Sequence, residues 1–125
     1  MKKKKSKNFI IPLVIYPFDV MVSLKQSDVE LVETLNKFGI DTSDNNMWKF
    51  EENGIGRCIS FPTGQLLIRL AHHPKSNEDF GTLQHEIFHA VHFFMKRMRM
   101  KLNMKNDEAY AYLIGYLTQE IYKNI

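Results

Sequence analysis

Five consecutive residues, His85-Glu86-Ile87-Phe88-His89, constrain this chain more than any other feature. On an α-helix each residue advances about 100° around the axis, so positions 85 and 89 lie about 40° apart and roughly one turn apart along it. Both imidazoles can therefore reach one ion, while Glu86 projects about 100° away, beside it. Neutral imidazole is a common zinc ligand, and a neighbouring carboxylate is placed to take a proton from a water molecule held there. A helix that presents such a face must also carry an apolar stripe to hold it in a core. With His85 at 0°, Phe80, Leu83, Ile87, Ala90, Val91, Phe94 and Met98 fall between roughly 140° and 240°, opposite the histidines. Ser76 or Asn77 supplies a cap and Glu78 and Asp79 an acidic first turn, so the helix is expected from about Asn77 to Met98.

A catalytic zinc takes three protein ligands and keeps one position for water. Beyond the basic segment Lys96 to Lys105, Asn106-Asp107-Glu108 opens a second amphipathic stretch that runs to about Tyr122. Its apolar arc holds Ala109, Tyr110, Leu113, Ile114, Leu117 and Ile121. Ala111 and Gly115 lie on the side of Glu108, and their small size would let that side approach the first helix. Glu108 is the expected third ligand, with Asp107 its main rival; both also suit the positive end of a helix dipole.

The pattern His85-Glu86-Ile87-Phe88-His89, followed 19 positions later by Glu108, resembles the zincin metallopeptidases, in particular their glutamate-liganded branch. The resemblance covers roughly residues 76 to 122. It implies a Zn2+ ion held by His85, His89 and Glu108, with Glu86 as general base in peptide-bond hydrolysis. The stretches His89-Ala90-Val91-His92 and Glu108 to Leu117 are also similar to short zincin-like proteins encoded by bacteriophages. Better-known members carry an aspartate four residues after the glutamate ligand, where this chain has Tyr112, so support for a ligating histidine must come from another group. The resemblance further implies that the strand before the active helix, Gln65 to Leu70, is a sheet edge that accepts an extended substrate, with Arg69 available to an acidic side chain or carboxylate. Iron, cobalt or manganese also fit a site of two histidines and one carboxylate.

Other histidines and tyrosines are less determined. His92 repeats the histidine face nearly two turns beyond His85, which suits the rim of the site or a supporting role better than ligation. A hydrogen bond to an oxyanion is open to His72, His73, Tyr110, Tyr112 and Tyr116, among which the sequence does not choose. Cys58 lies in a strand-like run without a nucleophile signature and reads as a structural thiol.

With 125 residues, 44% of them hydrophobic, the chain makes one ordinary globular domain, here expected to be α+β. The order read along it is strand, helix, sheet, helix, helix. Ile10 to Tyr16 is expected as a buried strand. A capped helix begins at Ser27 and stops at Gly39, and Asp41 to Asn46 forms a loop. Met47 to Phe50 is a short strand, and Ile55 to Phe61 pairs with Gln65 to Leu70 around Pro62-Thr63-Gly64. A net charge of +3 would suit a nucleic-acid binder, but five of the 17 cations are Lys2, Lys3, Lys4, Lys5 and Lys7, leaving 12 against 14 anions elsewhere. Residues 1 to 8 are expected as a disordered basic tail ahead of a domain at 9 to 125, with no specific nucleic-acid partner. Pro12, Pro17 and Asp19 interrupt the apolar run after the lysines, so neither a secretory signal nor a membrane span is expected. One cysteine cannot form an internal disulfide, which with the missing signal points to a reducing cytoplasm, that of the host cell if the gene is a phage's.

Overall fold

A computed structural model of the chain describes residues 4–13, 19–43, 48–51 and 53–125. Among the described residues seven elements follow one another: β1 (Lys7–Pro12), β2 (Asp19–Leu24), α1 (Asp28–Lys37), β3 (Gly56–Ser60), β4 (Leu66–Leu70), α2 (Asn77–Arg97) and α3 (Asp107–Lys123). The fold is α+β, with the four strands in one mixed sheet ordered β1-β2-β4-β3. β1 and β2 pair antiparallel, β2 and β4 run parallel with Val22 opposite Ile68, and β4 and β3 pair antiparallel with Ile68 opposite Cys58.

Helices cover both faces of the sheet because side chains alternate across it. Val20, Val22 and Leu24 of β2 and Leu66, Ile68 and Leu70 of β4 join Leu83, Ile87, Ala90, Val91 and Phe94 of α2 and Leu113, Leu117 and Ile121 of α3 in the larger core cluster. Met21, Ile59 and Leu67 point the other way and bury Leu31 and Leu35 of α1 with Trp48 and Phe61. Strands covered on both sides read as unbroken apolar runs, and all five residues of β4 are buried.

This topology corrects several expectations. Gln65 to Leu70 is not an edge: β4 sits between β2 and β3, and β3 is the outer strand on that side. Arg69 is 2% exposed and donates to Trp48 O and Gln26 O (3.0 Å each) and to Asp28 Oδ1 (2.8 Å), so its guanidinium holds the protein's interior and not a substrate. The first strand runs from Lys7 to Pro12 and not from Ile10 to Tyr16, whose last residues lie outside those described. β2 follows it as an additional, central strand. Trp48 to Phe50 form a turn and bend in place of the strand expected from Met47, which also lies outside the described residues. Nor is the tail loose from Lys4 onward. Lys25 Nζ donates to Lys4 O (2.8 Å), His73 Nε2 donates to Lys5 O (2.7 Å), and Lys7 and Asn8 already belong to β1. Among the described residues no helix is long and apolar enough to cross a membrane.

A candidate metal and peptide cleft between α2 and β3

α2 starts where its sequence demands. Ser76 caps it: the hydroxyl accepts from Asp79 N (3.1 Å) and the Asp79 carboxylate accepts from Ser76 N (3.2 Å), a reciprocal box that satisfies two orphan donors of the first turn. Asp79 also accepts from Lys75 N and sits 3.0 Å from His72 Nε2, and these contacts, His72 foremost, hold its carboxyl far below the usual range. The helix then runs unbroken through the motif to Arg97, its apolar stripe locked into the larger core.

His85 and His89 emerge from the opposite side with their Nε2 atoms 3.0 Å apart. Two imidazole nitrogens on one tetrahedral zinc, each about 2.0–2.1 Å from the metal, stand about 3.3 Å from each other, so the pair converges as two ligands of one ion do. Glu86 lies 3.9 Å from His85 Nε2 but turns inward and is only 6% exposed. Burial raises its carboxyl above the ordinary value, against the opposing pull of His85, His89 and Arg57.

The inward turn of Glu86 is possible because the facing strand has no side chain at Gly56. A Cβ there would stand 2.7 Å from Thr82 Cγ2 and 3.3 Å from Glu86 Cγ, inside the contact distance that real side chains keep. Glu51, Gly54, Gly56, Arg57, Cys58, His85, Glu86 and His89 line a cavity of about 330 Å³ between β3 and α2. A shallow groove continues from it past Ile55 towards Gly81 and Glu78. Arg57 closes one wall by donating from Nη1 to Glu51 Oε1 (3.1 Å), a carboxylate that is 85% exposed. Cys58 is partly buried, and burial together with the nearby Glu86 pushes its thiol far up, which keeps it protonated and a poor nucleophile.

Glu108 is not brought to this cleft. α3 lies antiparallel to α2: Gln84 Nε2 donates to Thr118 Oγ1 (3.2 Å), the Phe80 and Tyr122 rings are 5.4 Å apart, and Tyr110 Oη donates to Met100 O (2.7 Å). In that register Glu108 falls near the level of Phe94, about five residues or roughly 7.5 Å beyond His89, and both Glu108 and Asp107 stand exposed and do not line the cavity. Ala111 is exposed and a Cβ on Gly115 would touch nothing within 4 Å, so neither small residue draws α3 against α2, although Thr118 and Tyr122 on the same side meet Gln84 and Phe80. Leu113, Leu117 and Ile121, on the opposite side, join the apolar residues of α2 in the larger core. Among the described residues no three His, Cys, Asp or Glu side chains are arranged to hold a metal ion.

The other candidates are engaged elsewhere. Tyr116 Oη donates to Pro12 O (2.7 Å), Tyr110 and His73 are bonded as described, Tyr112 is 74% exposed, and none of these lines the cavity. His92 is exposed and stacked on Phe88, with ring centroids 6.2 Å apart. Sequence reasoning overlooked Glu51, Gly56 and Arg57. The signal that locates them is the unbroken apolar run Leu66-Leu67-Ile68, which marks β4 as interior and so makes its hairpin partner the edge. Compared with protein-family models, with curated proteins and with solved structures, the chain matches none.

Proposed function

We propose that the chain is a small zinc-dependent metallopeptidase whose active centre is the cleft between α2 and β3. The observation that carries this reading is the convergence of His85 and His89 Nε2 at 3.0 Å beside a buried, proton-seeking Glu86. His85 and His89 would hold the metal. A zinc ion there would polarise a peptide carbonyl and draw the pKa of a water molecule towards about 7. Glu86 accepts the proton of the attacking water at its carboxylate and returns it to the leaving amine, a role for which a raised pKa suits a group working near neutral pH. β3 is the edge strand beside the cleft, and an extended peptide laid along it adds a strand to the sheet while its scissile carbonyl faces the histidines. The groove towards Gly81 and Glu78 accommodates residues on one side of that bond.

The absence of Glu108 from the residues that line the cavity favours a second reading in which the same pair binds zinc but the protein acts as a binding or regulatory module with little turnover. Glu86→Gln separates the two. On the peptidase reading this variant binds zinc with unchanged stoichiometry and affinity and loses hydrolysis of a casein-derived peptide mixture by a factor on the order of 10²–10⁴. Equal cleavage by the variant and the native protein refutes the role given to Glu86, and no cleavage by either leaves the binding module. His89→Ala abolishes the zinc titration if the pair is a metal site at all. Glu108→Gln, titrated in the same way, decides whether the first turn of α3 closes on the histidines when metal binds. A loss of about tenfold or more in affinity says that it does, and unchanged affinity says that it does not.

A further inference from the structure

Among the described residues that line the cleft, Arg57 is the one Lys or Arg side chain, and it stands on the edge strand along which a peptide would lie. We infer that Arg57 makes the cleft selective for peptides bearing a carboxylate next to the bound segment, with Glu51 occupying that subsite until such a peptide displaces it. The inference rests on the reading of this cleft as a peptide site, and not on whether bound peptides are cleaved.

Three observations converge on it. Arg57 lines the same cavity as His85, Glu86 and His89, so a group bound to it lies beside the reacting centre. Its Nη1 already donates to a carboxylate, that of Glu51 at 3.1 Å, so the guanidinium is within reach of a carboxylate at this wall of the cleft. Guanidinium matches carboxylate with paired, charge-assisted donors that an ammonium does not offer. Third, the present occupant is cheaply replaced. Glu51 is 85% exposed, and a solvent-exposed ion pair contributes little, so an incoming carboxylate exchanges for it without uncovering a buried charge. Glu51 is carried by a tight turn, in which Gly54 N donates to Glu51 O at 2.7 Å, and this keeps it local to the subsite when it swings away. The arginine expected from the sequence to meet a carboxylate was Arg69; that side chain is sealed in the interior, and Arg57, its cross-strand neighbour, stands at the cleft.

A carboxylate can come from an acidic side chain or from a free peptide C-terminus, and binding measurements distinguish them. Zinc-loaded Glu86→Gln protein, which does not turn substrate over, is titrated calorimetrically with three peptides. One is acetyl-Gly-Gly-Glu-Gly-Gly-amide, one is acetyl-Gly-Gly-Ala-Gly-Gly with a free C-terminus, and one is the neutral amide of the second. One of the first two binds at least about fivefold tighter than the neutral peptide, and which one identifies the source. Adding Glu51→Gln removes the internal competitor and tightens that peptide about threefold, with no change for the neutral one. Adding Arg57→Gln erases the preference, and Arg57→Lys restores part of it; thermal melts of both confirm that the domain remains folded. The inference is overturned if all three peptides bind alike, if none binds, or if the preference survives Arg57→Gln. A preference of the expected kind in a protein that cleaves nothing would end the peptidase reading and leave this one standing.

Discussion

Gly56 fixes how closely sheet and helix can meet at the cleft. Its role is one of space, because the nearest atoms to an added Cβ are Thr82 Cγ2 at 2.7 Å, Glu86 Cγ at 3.3 Å and Leu70 Cδ2 at 3.3 Å. Thr82 is short and branched, so it cannot swing its methyl away as a long side chain would. Gly56→Ala therefore forces β3 and α2 apart, and overpacking of this kind costs about 1–3 kcal/mol. Urea denaturation is expected to show that loss in the midpoint without a change of slope; an unaltered midpoint means the contact relaxes freely. The same substitution separates what the sequence revealed at this scale from what it concealed. His85, Glu86 and His89 were legible because their relation is local, set by helix geometry over five residues. Glu86's burial was not, since it depends on a glycine 30 positions away that only the fold brings beside it. Arg57 and Glu51 were hidden for the same reason.

Elements with local signals at their ends were read almost to the residue. α2 begins one position after its Ser76 cap and α1 one position after Ser27, whose hydroxyl accepts from Glu30 N while Glu30 answers to Ser27 N, both at 3.1 Å. α3 also starts where its acidic pair indicates, although Asn106 makes no side-chain cap bond. Strands lacked comparable marks. β2 was missed because Val20 to Leu24 is buried on both faces and shows no alternation, and β4 was mistaken for an edge although its unbroken apolar run is the mark of an interior strand. Asp79, held by His72 foremost and then by the backbone at the start of α2, gives a pH prediction with a definite sign. Asp79's carboxyl is depressed in the folded protein, so its contribution is complete above the ordinary carboxylate range and is lost as pH falls through the folded value. Asp79→Asn should melt lower than the native protein at pH 7, with the gap narrowing as the pH is lowered below about 4. A gap that stays constant down to pH 2 would mean that the charge contributes nothing. Ser76→Ala, which removes the other half of the box, should cost about 1 kcal/mol at any of these pH values.

At the scale of the molecule the sheet separates a large core under α2 and α3 from a smaller one under α1, and Arg69 ties the smaller side together. Its guanidinium carbon lies 4.2 Å from the centre of the Phe50 ring. Its nitrogens serve the carbonyls of Trp48 and Gln26 and the carboxylate of Asp28, so one side chain of β4 joins the start of α1 to the segment that leads into the cleft wall at Glu51. No local pattern in the sequence announces such a hub; a lone arginine in an apolar run reads equally well as a surface charge. Asp28 is half exposed and can return to water when the arginine is removed, but the two carbonyls cannot, and each buried acceptor left without a donor costs about 1–3 kcal/mol. Arg69→Met recovers some apolar burial, which sets the expected net loss at about 2–4 kcal/mol, a large part of the stability of a domain this size. Arg69→Lys should fare no better, because a single ammonium cannot span three acceptors set around a planar fork. Trp48, the chain's one tryptophan and 6% exposed, reports the event directly. In both variants its emission should shift to the red before any denaturant is added, and the urea transition should move lower. If the melting temperature and emission of Arg69→Met match those of the native protein, the bonds around Arg69 merely offset the burial of its charge, and the cleft wall is held by Trp48 and its apolar neighbours alone.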